Sequence, residues 1–316
     1  MMLKSVVKQY LDRYAESETH QLKGFHSRPF KNCIVIPCFN ETPHFFQRLC
    51  KSALAEETLV IVVINQPAAT SVSSQNIQLA EFLQQSRLLW RRDNLSLLES
   101  QHCGAWLLVD RFTQNQIPPK QGVGLARKIG CDLAVKLKQQ GFIASNWIHC
   151  TDADAHLPDN YFDIPGQGSA AVFNFTHFQA PHTYDPAVEE ATQCYERAIK
   201  YYVAGLRWAG SPYAFNTVGS ALAVEHQAYC QVRGFPKKAG GEDFYLLNKL
   251  AKLGPVIEAK HITVRLEPRL SQRTPFGTGQ SVAQILTDKD RPAPTLVYYH
   301  PQTFTHLKAW LNQAFK

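Results

Sequence analysis

The segment Trp147-Ile148-His149-Cys150-Thr151-Asp152-Ala153-Asp154 drives an apolar run into two carboxylates one residue apart. In an extended chain, residues i and i+2 point to the same side, so Asp152 and Asp154 can meet one divalent cation at a strand end. Two adjacent like charges are costly to hold together unless a cation neutralises them, which suggests a metal–phosphate site. The same residues also suit a strand end followed by an acidic turn, because Asp is a common turn residue.

A second acidic site is Gly240-Gly241-Glu242-Asp243, followed by Leu246, Leu247, Leu250 and Leu253 at helical spacing. Acids in a first helical turn are favoured by the helix dipole, so a well-capped surface helix is one interpretation. The leading glycines allow a ligand to approach the backbone closely, and a carboxylate there can serve as general base for a hydroxyl group. Gly122-Val123-Gly124-Leu125-Ala126-Arg127-Lys128 superficially resembles a phosphate loop. It lacks the Gly-Lys-Ser/Thr ending of one nucleotide motif and the third glycine of the other. Arg127 or Lys128 near a helix start can still face a diphosphate, or form a solvated basic pair. There is no Gly-x-Ser-x-Gly, His-Glu-x-x-His or Cys-x-x-Cys. His261 follows the acidic helix, where a third metal ligand can arrive.

These groups need elements to position them. Asn32–Pro37 and Leu59–Ile64 are short apolar runs that predict buried strands, and a third strand ends at Asp152. Between them the spacing predicts helices from Pro43, over Leu79–Leu89 and over Gln121–Gln140; Ala105–Phe112 is ambiguous. Such alternation predicts an α/β fold with a mostly parallel central sheet and flanking helices, whose ligands bind beyond the carboxyl ends of the strands. Pro37–Glu41, Asn65 and Asp152–Asp154 would share that rim. The second half is less regular: strands at Ala170–Phe175, Gly219–Val224 and Val256–Leu266, and helices at Ala187–Ala209, Glu242–Leu253 and Gln302–Phe315.

The 316 residues divide into an amphipathic helix within 1–29 that packs on the domain, a domain over 30–266, and a C-terminal loop and helix over 267–316. The hydrophobic share of 45% and charged share of 19% are those of a globular protein with a sizeable core. The net charge of +7 is spread without a Lys/Arg block, which favours an anionic small ligand over nucleic acid. No apolar run is long enough to span a bilayer. Eight cysteines, several inside apolar runs, suggest buried reduced thiols and a cytoplasmic location.

In order and spacing, these segments resemble the GT-A-fold glycosyltransferases of the large family 2 type, across residues 30 to 265. Ile34-Val35-Ile36-Pro37-Cys38-Phe39-Asn40-Glu41 looks like the family's opening strand, Gly122-x-Gly124-x-Ala126-Arg127 its helix start, and Thr151-Asp152-Ala153-Asp154 its Asp-x-Asp motif. Gly219-Ser220, Gly234-Phe235 and Glu242-Asp243 look like its acceptor-side segment. The resemblance implies metal-dependent, inverting transfer of a sugar from a UDP- or GDP-sugar to an acceptor hydroxyl. Pro37, Cys38, Asn40 and Glu41 would line the nucleoside pocket, with Asn65 at the base contact where the family usually has Asp. Asp152 and Asp154 would hold Mn2+ or Mg2+ against the donor diphosphate. Arg127 would position the diphosphate or Asp152, and Asp243 would be the general base, with Glu242 as substitute. Lys128, where the family usually has Asn, would add positive charge near the phosphates.

There is no Gln-x-x-Arg-Trp segment, which argues against a processive polysaccharide synthase. One alternative is a nucleotidyltransferase on a related α/β fold, but Pro37–Glu41 stands where its glycine-rich basic loop would be. Another is a non-catalytic domain that binds nucleotide-sugars or scaffolds a partner. Finally, Arg265, Arg269 and Arg273 lead into Thr274-Pro275-Phe276-Gly277-Thr278-Gly279, which suits a lid on an anionic ligand or a solvated loop.

Overall fold

The structure, a computed structural model, describes residues 2–99, 104–179, 184–268, 277–287 and 298–314. Strands β1 (Asn32–Cys38) and β2 (Thr58–Asn65) are apolar on both faces and almost wholly buried, as central strands of a parallel sheet must be. They pair in parallel. β5 (Ala105–Arg111) extends the parallel set beyond β2, and β6 (Trp147–Cys150) extends it beyond β1. Period-two alternation divides the side chains between two core layers. Cys33 and Val35 face one layer, while Ile34, Ile36 and Cys38 face the other.

The flanks differ from the mostly parallel sheet that the sequence suggests. β3 (Arg87–Arg92) and β4 (Leu95–Glu99) form an antiparallel hairpin on β5. At the other side β9 (Leu222–Glu225) runs antiparallel to both β6 and β8 (Ala170–His177). β10 (Val256–Leu266) is parallel to β8, and β7 (Ala155–His156) closes antiparallel on its end. The ten strands stand in the order β3-β4-β5-β2-β1-β6-β9-β8-β10-β7, so the sheet is mixed, with a parallel block β5-β2-β1-β6 at its centre and a separate parallel pair β8-β10. The helix expected over Leu79–Leu89 also lies earlier in the chain: it spans Ser74–Gln84, and β3 opens at Arg87. The two-residue turn Asp93-Asn94, with Asp93 at φ +48°, closes the hairpin.

Numbering all helices in chain order, α1 is Met2–Arg13, α2 Glu18–Gln21, α3 His44–Leu49, α4 Ser74–Gln84 and α5 Gly122–Gln139. They are followed by α6 (Pro186–Trp208), α7 (His226–Gln231), α8 (Glu242–Leu250), α9 (Thr278–Thr287) and α10 (Pro301–Ala314). Among the described residues no helix is long and apolar enough to cross a membrane. Helix α5 lies directly on the parallel strands: a Cβ on Gly130 would stand 2.3 Å from a methyl of Val35. This close seat fixes where the first turn of α5 sits above the strand ends.

The N-terminal helix is fastened to α5 through one buried carboxylate. Asp132 is fully buried and accepts hydrogen bonds from Lys128 Nζ (2.8 Å), the Glu16 backbone (2.8 Å), Tyr229 (2.8 Å) and Tyr10. Lys128 Nζ also donates to the Tyr10 hydroxyl at 2.7 Å. Lys128 therefore carries no charge toward a phosphate, contrary to expectation. Successive helical residues point about 100° apart, so Arg127 and Lys128 leave α5 in different directions.

Lys128→Met leaves Asp132 buried without its cation. Urea unfolding should show a loss of about 3–5 kcal/mol, the usual consequence of breaking a buried pair. Adding Asp132→Asn to the same chain should recover part of that loss.

Candidate active site

Because β2, β1 and β6 are parallel neighbours, their carboxyl ends open on one side of the sheet. Pro37, Glu41, Asn65, Asp152 and Asp154 line a single cavity there, of about 1110 Å³. Gly122 and Arg127 of α5 face them, as do Gly240, Gly241, Glu242 and Asp243 at the start of α8. The sequence thus located the rim, and the fold brings the two acidic segments to it.

Arg127 joins them. Its Nη2 donates to Asp152 Oδ1 at 2.7 Å and its Nε to Glu242 Oε1 at 2.9 Å. The guanidinium is almost fully buried. Burial works against its charge, but Asp152 and Glu242 outweigh that and raise its pKa above the ordinary value. Of the two roles expected for Arg127, positioning Asp152 is the one its geometry fills. The glycines of the α5 start serve packing. A Cβ on Gly124 would meet the carbonyls of Pro236 and Lys238 at 2.4 and 2.6 Å, and the Gly124 amide donates to Lys238 O at 3.0 Å. The backbone over 236–239 can therefore lie against α5 and deliver Glu242 to Arg127. Gly219 does the same from the opposite wall, where a Cβ would stand 2.7 Å from Arg127 Nη2.

Asp243 is half-buried beside this pair and lines the cavity. Burial first, then the neighbouring Glu242 carboxylate, push its carboxyl up to about 7. A group with that pKa is suited to accept a proton near neutral pH. Glu242 is not equivalent: it is buried, and its Oε1 is held by Arg127 at 2.9 Å.

Three expected residues lie elsewhere. Cys38 points into the opposite core layer, because residues 37, 39 and 41 take the cavity side of the strand end. Asn40 adopts φ +54°, its amide donates to Asn76 Oδ1 at 2.9 Å, and it does not line the cavity. His261 sits within the strand irregularity between Ala259 and Thr263, exposed, with Nε2 2.9 Å from the Asp163 carbonyl. It is not brought to Asp152 or Asp154. Of the arginine-rich segment, Arg269 and Arg273 through Phe276 lie outside the described residues. Arg265 stacks over Phe178 at 4.0 Å, while Gly277, Thr278 and Gly279 line the cavity. The cysteines also differ from expectation: Cys33, Cys38, Cys131, Cys150, Cys194 and Cys230 are free thiols, but Cys50 is disulfide-bonded. Cys50 is half-buried just after α3, outside the apolar runs that shelter the buried thiols, and an all-thiol set no longer argues for a compartment.

Sequence reasoning missed Phe39, whose alternation with Pro37 and Glu41 was the available signal. It also missed His177 at the end of β8. Its Nδ1 is 2.9 Å from Glu196 Oε2. Burial opposes the Glu196 charge, yet hydrogen bonds from His177 and Lys200 outweigh it and pull its carboxyl down to about 2. The helix expected over Ala187–Ala209 carried no functional reading, yet Tyr195, Ile199, Tyr202 and Leu206 of α6 line the cavity.

Among the described residues, no group of three or more His, Cys, Asp or Glu could hold a metal ion alone. Asp152 remains 36% exposed with one oxygen on Arg127, and Asp154 lines the same cavity. One or two carboxylates are the usual protein share for Mg2+, whose shell is completed by water and substrate phosphate. The donor set fits a cation shared with a phosphate-bearing ligand, and not a protein-only cage. No model of a known protein family matches this chain, and no curated protein matches it.

The Asp243 pKa has a consequence for stability. Its folded value of about 7 exceeds the ordinary 3.8, so between these limits the native state holds the extra proton and stability falls as pH rises. Asp243→Asn removes this titration. Its thermal midpoint, relative to the native chain, should therefore climb from pH 4 to about 7 and then level off. A flat difference would show that Asp243 titrates normally.

Proposed function

We propose that this cavity binds a nucleotide-sugar and transfers its sugar, with inversion, to an acceptor hydroxyl, on a GT-A-type fold. The observation that carries the proposal is Arg127, which ties the Asp152 strand end to Glu242 beside Asp243, a carboxylate suited to be a base at neutral pH. The mixed sheet with a parallel centre, and the ligand rim at β2, β1 and β6, support the fold assignment. The cavity volume exceeds the range of about 300–1,000 Å³ usual for one small ligand, which leaves room for donor and acceptor together.

In this scheme Pro37, Phe39, Glu41 and Asn65 bound the end of the cavity that receives the nucleoside. Asn65 Nδ2 donates to Cys38 O at 3.0 Å, which fixes the two strand ends on which that wall is built. Asp152 and Asp154 would hold Mn2+ or Mg2+, which when bound offsets the charge developing on the departing diphosphate. Arg127 orients Asp152 and keeps Glu242 in place. The Asp243 carboxylate takes the proton of the acceptor hydroxyl. The hydroxyl oxygen bonds to the sugar's anomeric carbon as the bond from that carbon to the phosphate oxygen breaks. Attack opposite the leaving group inverts the configuration. Glu242 contributes indirectly, because its charge raises the proton affinity of Asp243.

Calorimetry should detect UDP- or GDP-sugar binding that strengthens with Mn2+, and Asp152→Ala should remove the metal dependence. Binding indifferent to Mn2+ in the native chain favours a scaffold and removes the metal assignment. Asp243→Asn should retain donor binding and lose transfer by at least a hundredfold, since general-base catalysis is worth about 10²–10⁴. In the native chain, kcat/KM should rise with pH through an apparent pKa of about 7. Full transfer by Asp243→Asn excludes it as the base.

A further inference from the structure

We infer that the acceptor is an amphipathic alcohol whose hydrocarbon chain lies along helix α6. The role given to its hydroxyl rests on the proposed transferase activity; the apolar groove does not.

The cavity is divided by polarity. Its carboxylates and Arg127 stand at the strand ends and the start of α8. The other wall is α6, which presents Tyr195, Ile199, Tyr202 and Leu206 to the cavity, with Phe175 and Leu307 also lining it. The spacing of 4, 3 and 4 residues makes one helical stripe. A stripe of this kind ordinarily buries against protein; here Ile199 and Leu206 are only half-buried and border open volume. From Tyr195 to Leu206 the helix advances roughly 16 Å at its 1.5 Å rise per residue.

The stripe has a direction. Tyr195 lies close enough to Asp243 for that carboxylate, after burial, to help raise the pKa of its hydroxyl. Leu206 is three turns away. A ligand whose hydroxyl reaches Asp243 therefore sends its remainder along an apolar track. α10 closes that track because it packs tightly on α6, where a Cβ on Gly205 would stand 2.3 Å from the Phe304 ring. The far end continues into exposed aromatic surface. Tyr202 is 40% exposed and packs on Tyr299 and Phe304, Trp208 is 54% exposed under the Lys308 ammonium, and Trp310 is 63% exposed. Trp and Tyr beside Lys are the residues of a membrane–water boundary, so the chain can come from a dispersed amphiphile or from a bilayer.

The test is calorimetric titration of the full chain with methyl, butyl and octyl β-glucoside below micelle formation. Complete burial tightens binding by about fourfold per methylene, and we expect octyl to bind at least tenfold tighter than methyl. Leu206→Asp should abolish that gain. Leu206→Trp, which keeps the wall apolar but fills the far end, should weaken octyl more than butyl; thermal melting checks that both variants fold. Equal affinities for methyl and octyl, or octyl binding unaltered in both folded variants, overturn the inference. Titration with UDP- and GDP-glucose plus Mn2+ is read separately. Donor binding without chain-length dependence overturns the acceptor class alone, whereas chain-length dependence without donor binding overturns the transferase and leaves the groove assigned. Co-sedimentation with phosphatidylcholine vesicles assigns a bilayer as the source of the chain, and its absence assigns a dispersed amphiphile.

Discussion

A buried guanidinium sets the terms for the rest of the site. Arginine cannot shed its proton, so placing one inside a protein is tolerable only if carboxylates meet it with good geometry. Arg127 meets Asp152 on one side and Glu242 on the other, and these belong to a strand end and a helix start far apart in the chain. The requirement therefore fixes β6, α5 and α8 relative to one another. It also explains the glycines. Gly124 and Gly219 border the approach to Arg127 so tightly that a single methyl group would collide with backbone or with the guanidinium itself. The raised Asp243 pKa comes first from its burial in the same arrangement, and then from Glu242, which is held for Arg127 and lies next to it.

The cavity divides its labour between two kinds of element. Strand ends and the first turns of α5 and α8 supply charges, whose positions are set by hydrogen bonds and close glycine contacts. A long helix supplies an apolar wall, whose position is set by α10 resting on Gly205. Charge handling and shape selection are therefore built on separate parts of the chain, and each can vary without dismantling the other.

Much of this was legible in the sequence because some residues admit few environments. Continuous apolar runs such as Ile34–Ile36 and Leu59–Ile64 have to be central strands, and Asp152, Asp154 and Asp243 need a polar opening at element ends. What could not be read depended on direction. Cys38 and Asn40 were placed in the cavity because they lie in the right segment, but alternation gives the wall to 37, 39 and 41. His261 was placed by its position after the acidic helix, and a strand irregularity carries it to Asp163. The β3–β4 hairpin was hidden because Leu88 and Leu89 prolong the apolar pattern of α4, although Asp93-Asn94 marks its turn. The α6 stripe has the spacing of a core helix, and nothing local reveals that its face borders a void.

The carboxylate beneath the N-terminal helix has an evolutionary corollary. Tyr10, Lys128, Asp132 and Tyr229 form one connected set of buried donors and acceptors drawn from three stretches of chain. None of them can drift alone without stranding a partner in the core. Across diverging descendants of this chain, these positions should be inherited or discarded as a block. A descendant that has shed its first helix should carry an apolar pair in place of Lys128 and Asp132.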